Sequence, residues 1–255
     1  MNFLQSFVIA MSMYSKIPMP AVEWKKENMK YAMCFFPLVG VVIGAAVYLA
    51  GRLFFGLHCQ PLMRGAVCTL VPILISGGIH MDGFMDTMDA LASYGDKEKK
   101  LAILKDSHAG AFAILGLGCY LVWSLAVWGE IPEEMLGVAA LSFVVSRSLS
   151  GYSVVTFPAA RENGLARTFQ DQAEKKRVKI TMLVFLILAA AGMCAVHLRA
   201  AAGALLAEVL VFWYYKKMST RQFGGVTGDL AGYFLEISEL AMLTGMMLTG
   251  GYLWN

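Results

Sequence analysis

Charge is scarce in this chain. Only 15% of its 255 residues are Asp, Glu, Lys or Arg, and 58% are hydrophobic, with a mean hydropathy of +0.61. A soluble domain carries about 25% charged residues, so a water-soluble globular protein is excluded and an integral membrane protein expected. Cysteine is sparse and unpatterned. There are five (Cys34, Cys59, Cys68, Cys119, Cys194), with no Cys-x-x-Cys and four of them inside apolar runs. An odd, scattered set excludes a disulfide framework or a thiolate metal site. Histidine is rare as well, and His58, His80 and His197 show no ligand spacing. The amino terminus lacks both a basic segment and a small-residue cleavage site, so no removable signal peptide is expected. No internal repeat is present, and a single domain over residues 1–255 is the natural reading.

What is abundant is apolar sequence in runs long enough to cross about 30 Å of hydrocarbon. Seven candidates fall at about 31–55, 62–80, 109–129, 135–157, 179–197, 200–215 and 230–250. The expected fold class is therefore all-α, a polytopic membrane helix bundle of about seven transmembrane helices. A short amino-terminal helix, Met1 to Tyr14, should be interfacial or re-entrant and stop at Pro18 and Pro20. Segment 81–94 either extends the second run or forms a helix broken from it at Gly77-Gly78.

The basic residues set the orientation. Of 21 Lys and Arg, 17 lie in 14–30, 93–108, 158–179 and 216–228, whereas Glu130, Glu133 and Glu134 lie where no basic residue does. By the positive-inside rule those four segments face the cytoplasm, with the amino terminus inside and the carboxy terminus (Gly251 to Asn255) outside. The location expected is a cell membrane, plasma or inner. Lys175-Lys176-Arg177 suits lipid headgroups, and no nucleic-acid partner is expected.

The polar residues that remain are concentrated. In Gly77-Gly78-Ile79-His80-Met81-Asp82-Gly83-Phe84-Met85-Asp86-Thr87-Met88-Asp89, a helix would put Asp82, Asp86 and Asp89 at i, i+4 and i+7 on one face. No Lys or Arg lies between Arg64 and Lys97 to neutralise them. Three like charges on one stripe repel, so a positive partner must come from elsewhere. Hard oxygen ligands point to Mg²⁺ or Mn²⁺, which could clamp phosphate oxygens. Gly224-Gly225-Val226-Thr227-Gly228-Asp229 reads as a phosphate-cradling turn or as a plain glycine-rich loop with Asp229 as helix cap. Asp229, Glu236 and Glu239 form a second acidic stripe, from which Asp229 could complete a metal shell or act as general base. Asp106-Ser107-His108 reads as a cap for the third run, with His108 a candidate phosphate donor. Arg147, mid-span, needs a partner, either the carboxylates or a substrate phosphate. Arg161 is a candidate phosphate clamp. All these clusters are expected to face one compartment, the cytoplasm.

Taken together they resemble the cobalamin synthase family, the adenosylcobinamide-GDP ribazoletransferases. The resemblance rests on Phe36-Pro37-Leu38-Val39-Gly40, the Gly77–Asp89 stretch, Lys105-Asp106-Ser107-His108-Ala109-Gly110-Ala111-Phe112, Ala160-Arg161-Glu162-Asn163-Gly164-Leu165, and Thr227-Gly228-Asp229 running on to Gly232 and Glu236. His108 departs from the Arg common in that family. The resemblance implies a Mg²⁺-dependent transferase joining adenosylcobinamide-GDP to α-ribazole or its 5′-phosphate, with release of GMP. It implies Asp82 and Asp229 as catalytic residues and Asp82, Asp86, Asp89 and Asp106 around the metal. His80, Ser107, His108, Arg147, Arg161, Thr227 and Glu236 would bind substrate. A homo-oligomer is left open. Two other readings compete: a CDP-alcohol phosphotransferase, whose Asp-rich motif would continue differently, and a cation transporter using the same carboxylates.

Overall fold

The computed structural model describes residues 3–252. In chain order the helices are α1 (Phe3–Tyr14), α2 (Lys26–Met29), α3 (Phe36–Gly56), α4 (Pro61–Ser76), α5 (Ile79–Ala92), α6 (Lys97–Ile103), α7 (Ala111–Glu130), α8 (Leu136–Thr156), α9 (Leu165–Gln172), α10 (Lys175–Val196), α11 (Leu198–Met218) and α12 (Gly228–Met247). Short 3₁₀ turns lead into α3 and α8, and α11 continues into a π-helical turn, Ser219–Phe223.

The polytopic helix bundle is as expected. Among the described residues, five stretches are long and apolar enough to cross a membrane, and the α4–α5 pair makes a sixth if counted as one broken span. The seventh run, α12, has the length (20 residues) but carries Asp229, Glu236 and Glu239, and it lies at the centre of the bundle against α5, α8 and α11. Outer faces of α7, α10 and α11 expose Leu115, Val122, Ile187, Leu188, Leu206 and Leu210, as lipid contact requires. Helix α8 is the opposite case and lies almost wholly inside the protein. Its buried Ser142, Ser148 and Ser153 hydroxyls donate to carbonyls three or four residues back. They are thereby satisfied without water. Where α3 crosses α8, a Cβ on Gly40 or Gly44 would strike the Phe143 or Ala140 carbonyl, so small residues set the closest approach.

Helix α1 is 12 residues long, about 18 Å at 1.5 Å per residue, and too short to span. It buries Val8, Ile9, Ala10 and Met11 against the bundle. It ends at Tyr14, before the prolines, because Ser15 Oγ closes on the Met11 carbonyl and Lys16 N–H turns to Ile75.

The break at Gly77-Gly78 is real and it aims the acidic helix. Both glycines are left-handed (φ 66° and 77°). Gly78 N–H bonds the Ile73 carbonyl and Gly77 N–H the Leu74 carbonyl, which satisfies the end of α4 in a Schellman turn. Helix α5 therefore leaves at 97° to α4. The terminal residues 253–255, for which an outside location is expected, lie outside the described residues.

Candidate active site

Two loops create the site. After α8, Ala160 N–H donates to Val226 carbonyl (3.0 Å) and Val226 N–H donates to Pro158 carbonyl (2.8 Å), a single parallel bridge that ties the 158–161 loop to the glycine turn. Gly225 (φ 155°) makes this possible, since any Cβ there would strike the Pro158 carbonyl. The bridge brings Arg161 to Asp229: Nη1 stands 3.8 Å from Oδ2, while Nη2 donates to the Leu101 carbonyl at 2.5 Å. Arg161 Nε is buried with no partner. Thr227, and not Asp229, caps α12. Its hydroxyl accepts from Leu230 N–H (3.1 Å) and donates to Asp229 Oδ2 (3.3 Å).

Helix α5 meets this turn backbone to backbone. A Cβ on Gly83 would stand 2.7 Å from the Asp229 carbonyl oxygen, so α5 and α12 touch where Asp82 and Asp229 project. The result is a cavity of about 210 Å³ lined by His80, Asp82, Arg161, Thr227 and Asp229. Asn163, Arg167, Tyr14, Phe36 and Phe169 also face it. The ends of α1 and α8 and the starts of α3, α5 and α12 converge here.

The other predicted residues lie elsewhere. Asp86, half-buried, is faced by the charges of Asp82, Asp229, Asp89 and Asp106. Asp89 spends both oxygens on the first turn of α7, accepting from Gly110 N–H (2.6 Å) and Ala113 N–H (2.9 Å). This corrects the expected cap. Asp106 instead closes an exposed turn of its own, accepting from His108 N–H (3.0 Å) and pairing with its ring Nδ1 (2.7 Å). That hydrogen bond lowers the Asp106 pKa below the usual carboxylate range. Ser107 and His108 are exposed and do not line the cavity.

Arg147 finds its partner inside the bundle. It is 2% exposed and ion-paired with Glu239 of α12, and it also bonds Ser146 Oγ at 3.0 Å. It does not reach the cavity, nor does the buried Glu236. Among the described residues, no three of His, Cys, Asp or Glu are gathered tightly enough to hold a metal ion. Donor chemistry does fit one. Asp82, Asp86 and Asp229 offer hard oxygens that repel each other across the α5–α12 contact, with Arg161 as partial counter-charge.

Asn163 and Arg167 were not singled out in the sequence. Asn163 belongs to the Ala160–Leu165 stretch quoted above, whereas Arg167 pairs with Asp171 on α9 (2.9 Å) and carries no local signal of a cavity role.

Spanning helices around a carboxylate- and guanidinium-lined cavity at one end define a polytopic membrane protein with a polar binding site. Residues 6–247 match the cobalamin-5-phosphate synthase family. A protein of Lachnoclostridium phytofermentans called adenosylcobinamide-GDP ribazoletransferase is 45% identical over 251 residues, covering 98% of this chain and 96% of that one. Namesakes from Clostridium perfringens and Desulfitobacterium hafniense are each 31% identical, over 97% and 96% of this chain and 98% and 97% of theirs. The chain belongs to the cobalamin-5-phosphate synthase family. No solved structure gives a significant match.

Proposed function

We propose that the protein is an adenosylcobinamide-GDP ribazoletransferase. It joins adenosylcobinamide-GDP to α-ribazole, or its 5′-phosphate, forming adenosylcobalamin, or its phosphate, and releasing GMP. The observation that carries this reading is the meeting of Asp82, Arg161, Thr227 and Asp229, from three distant segments, on one cavity wall. Near-full-length similarity to relatives of that name supports it.

In the reaction a ribazole hydroxyl oxygen bonds to the phosphorus attached to the cobinamide arm. The P–O bond to the bridging oxygen breaks, and its electron pair leaves with GMP. Asp82 or Asp229 takes the hydroxyl proton; both line the cavity, and Asp229 is oriented by Thr227 and Arg161. Arg161 offsets the diphosphate charge. Asp82 and Asp229, with Asp86 behind them on α5, would supply one or two carboxylate oxygens to Mg²⁺, which when bound would stabilise charge on the attacking and leaving oxygens. Asp89 contributes by fixing α7 beside them. The distribution of Lys and Arg supports a cell membrane location with the cavity open to the cytoplasm. The exposed Lys175-Lys176-Arg177 suits anionic headgroups there.

Purified protein in lipid nanodiscs with Mg²⁺, adenosylcobinamide-GDP and α-ribazole should release GMP. Chelation should stop it, and Asp82→Asn should abolish it. Release of CMP from a CDP-linked lipid, or cation flux without nucleotide turnover, would replace this reading with another.

A further inference from the structure

The cavity wall has two characters. Beside the polar residues described above lies a group of rings: Tyr14 over Phe36 (centroids 4.3 Å apart), with Phe169 at 6.5 Å and the His80 imidazole at 6.1 Å from Tyr14 and nearly parallel to it. All four line the cavity. The Tyr14 hydroxyl is turned to Met33 Sδ at 3.7 Å. His80 Nε2 is different. The residue is 4% exposed, and this nitrogen has no hydrogen-bond partner. A buried, unsatisfied ring nitrogen on a cavity wall is costly unless a ligand completes it.

Resting on the transferase reading, we propose that these rings seat the flat base of the ribazole substrate, with His80 Nε2 hydrogen-bonded to the base's unsubstituted ring nitrogen. The size argues for a fragment. About 210 Å³ is below the roughly 300–1,000 Å³ of pockets that swallow a whole drug-sized ligand, so a corrin macrocycle stays outside. Chemistry then chooses between the two bases of the reaction. Guanine presents several donors and acceptors on its edge, and burying them against rings with one free polar atom would leave most unpaired. A dimethylbenzimidazole presents two methyl groups, a flat π face and one acceptor nitrogen. That is the complement of three aromatic rings and one imidazole N–H. Seated there, the base places its ribose toward Asp82, two residues along α5 from His80 and on the same cavity.

The test is direct binding, by equilibrium dialysis against protein in nanodiscs, of α-ribazole and of the matching dimethylindole riboside, in which a C–H replaces the ring nitrogen. Native protein should bind α-ribazole about tenfold more tightly, the worth of one buried hydrogen bond. His80→Phe should bind both equally, and Tyr14→Leu should weaken both alike. Equal binding of the two ribosides by native protein needs no variant and overturns the proposal. So does a preference that persists in His80→Phe, or undiminished binding in Tyr14→Leu. If native protein still releases GMP while any of these holds, this assignment alone fails. If it neither binds α-ribazole nor releases GMP, the transferase reading fails with it.

Discussion

Replacing Arg147 with methionine should cost stability and not substrate affinity. The guanidinium is 2% exposed, its partner Glu239 is 4% exposed, and Ser146 Oγ bonds both, donating to Glu239 at 2.9 Å. A methionine keeps the length of the stem but strands Glu239 in the bundle core with one hydroxyl. Removing one partner of a buried pair costs about 3–5 kcal/mol. For a chain of this size that lowers the melting temperature by roughly 10 °C. Adding Glu239→Gln removes the stranded charge, so the double variant should recover most of the loss. The assay is thermal unfolding of detergent-purified protein followed by tryptophan fluorescence, with all four members of the cycle compared. A single variant as stable as the native protein, but with a raised KM for adenosylcobinamide-GDP, would refute the reasoning and return Arg147 to the substrate.

Two further substitutions separate positioning from chemistry. Asp89→Asn should lose one of its two bonds to the start of α7 and about 1 kcal/mol of stability, yet keep GMP release within about tenfold of native, as measured by chromatography of the products. Gly83→Ala should force α5 away from α12, because its Cβ would stand 2.7 Å from the Asp229 carbonyl oxygen. The expected cost is about 1–3 kcal/mol, together with a fall in kcat visible even at saturating substrate.

The acidic stripe shows how far a helical period carries. Asp82, Asp86 and Asp89 do share a face of α5, as their spacing requires. Seven residues also climb about 10 Å, so residues on one face serve different neighbours. Asp82 reaches the cavity, whereas Asp89 reaches the start of α7. That partner belongs to another helix and leaves no trace near Asp89 in the chain. The Gly77-Gly78 break was legible because consecutive glycines tolerate left-handed backbone, but its 97° angle comes from packing. Arg147 announced its need for a partner by lying mid-span; that Glu239 answers it depends on how α8 meets α12. Arg167 and Tyr14 were invisible as site residues. The bridge between Ala159 and Val226, and the docking of α1, are long-range contacts that no local pattern encodes.

The most direct trial of the account is product formation at Asp229. Native protein and Asp229→Asn, both shown to be folded by their melting curves, are supplied with Mg²⁺ and the two substrates, and GMP and the completed cobamide are quantified together. The account predicts equal amounts of the two products from native protein and neither from the variant. Undiminished turnover by Asp229→Asn, or no GMP from the native protein, would contradict it.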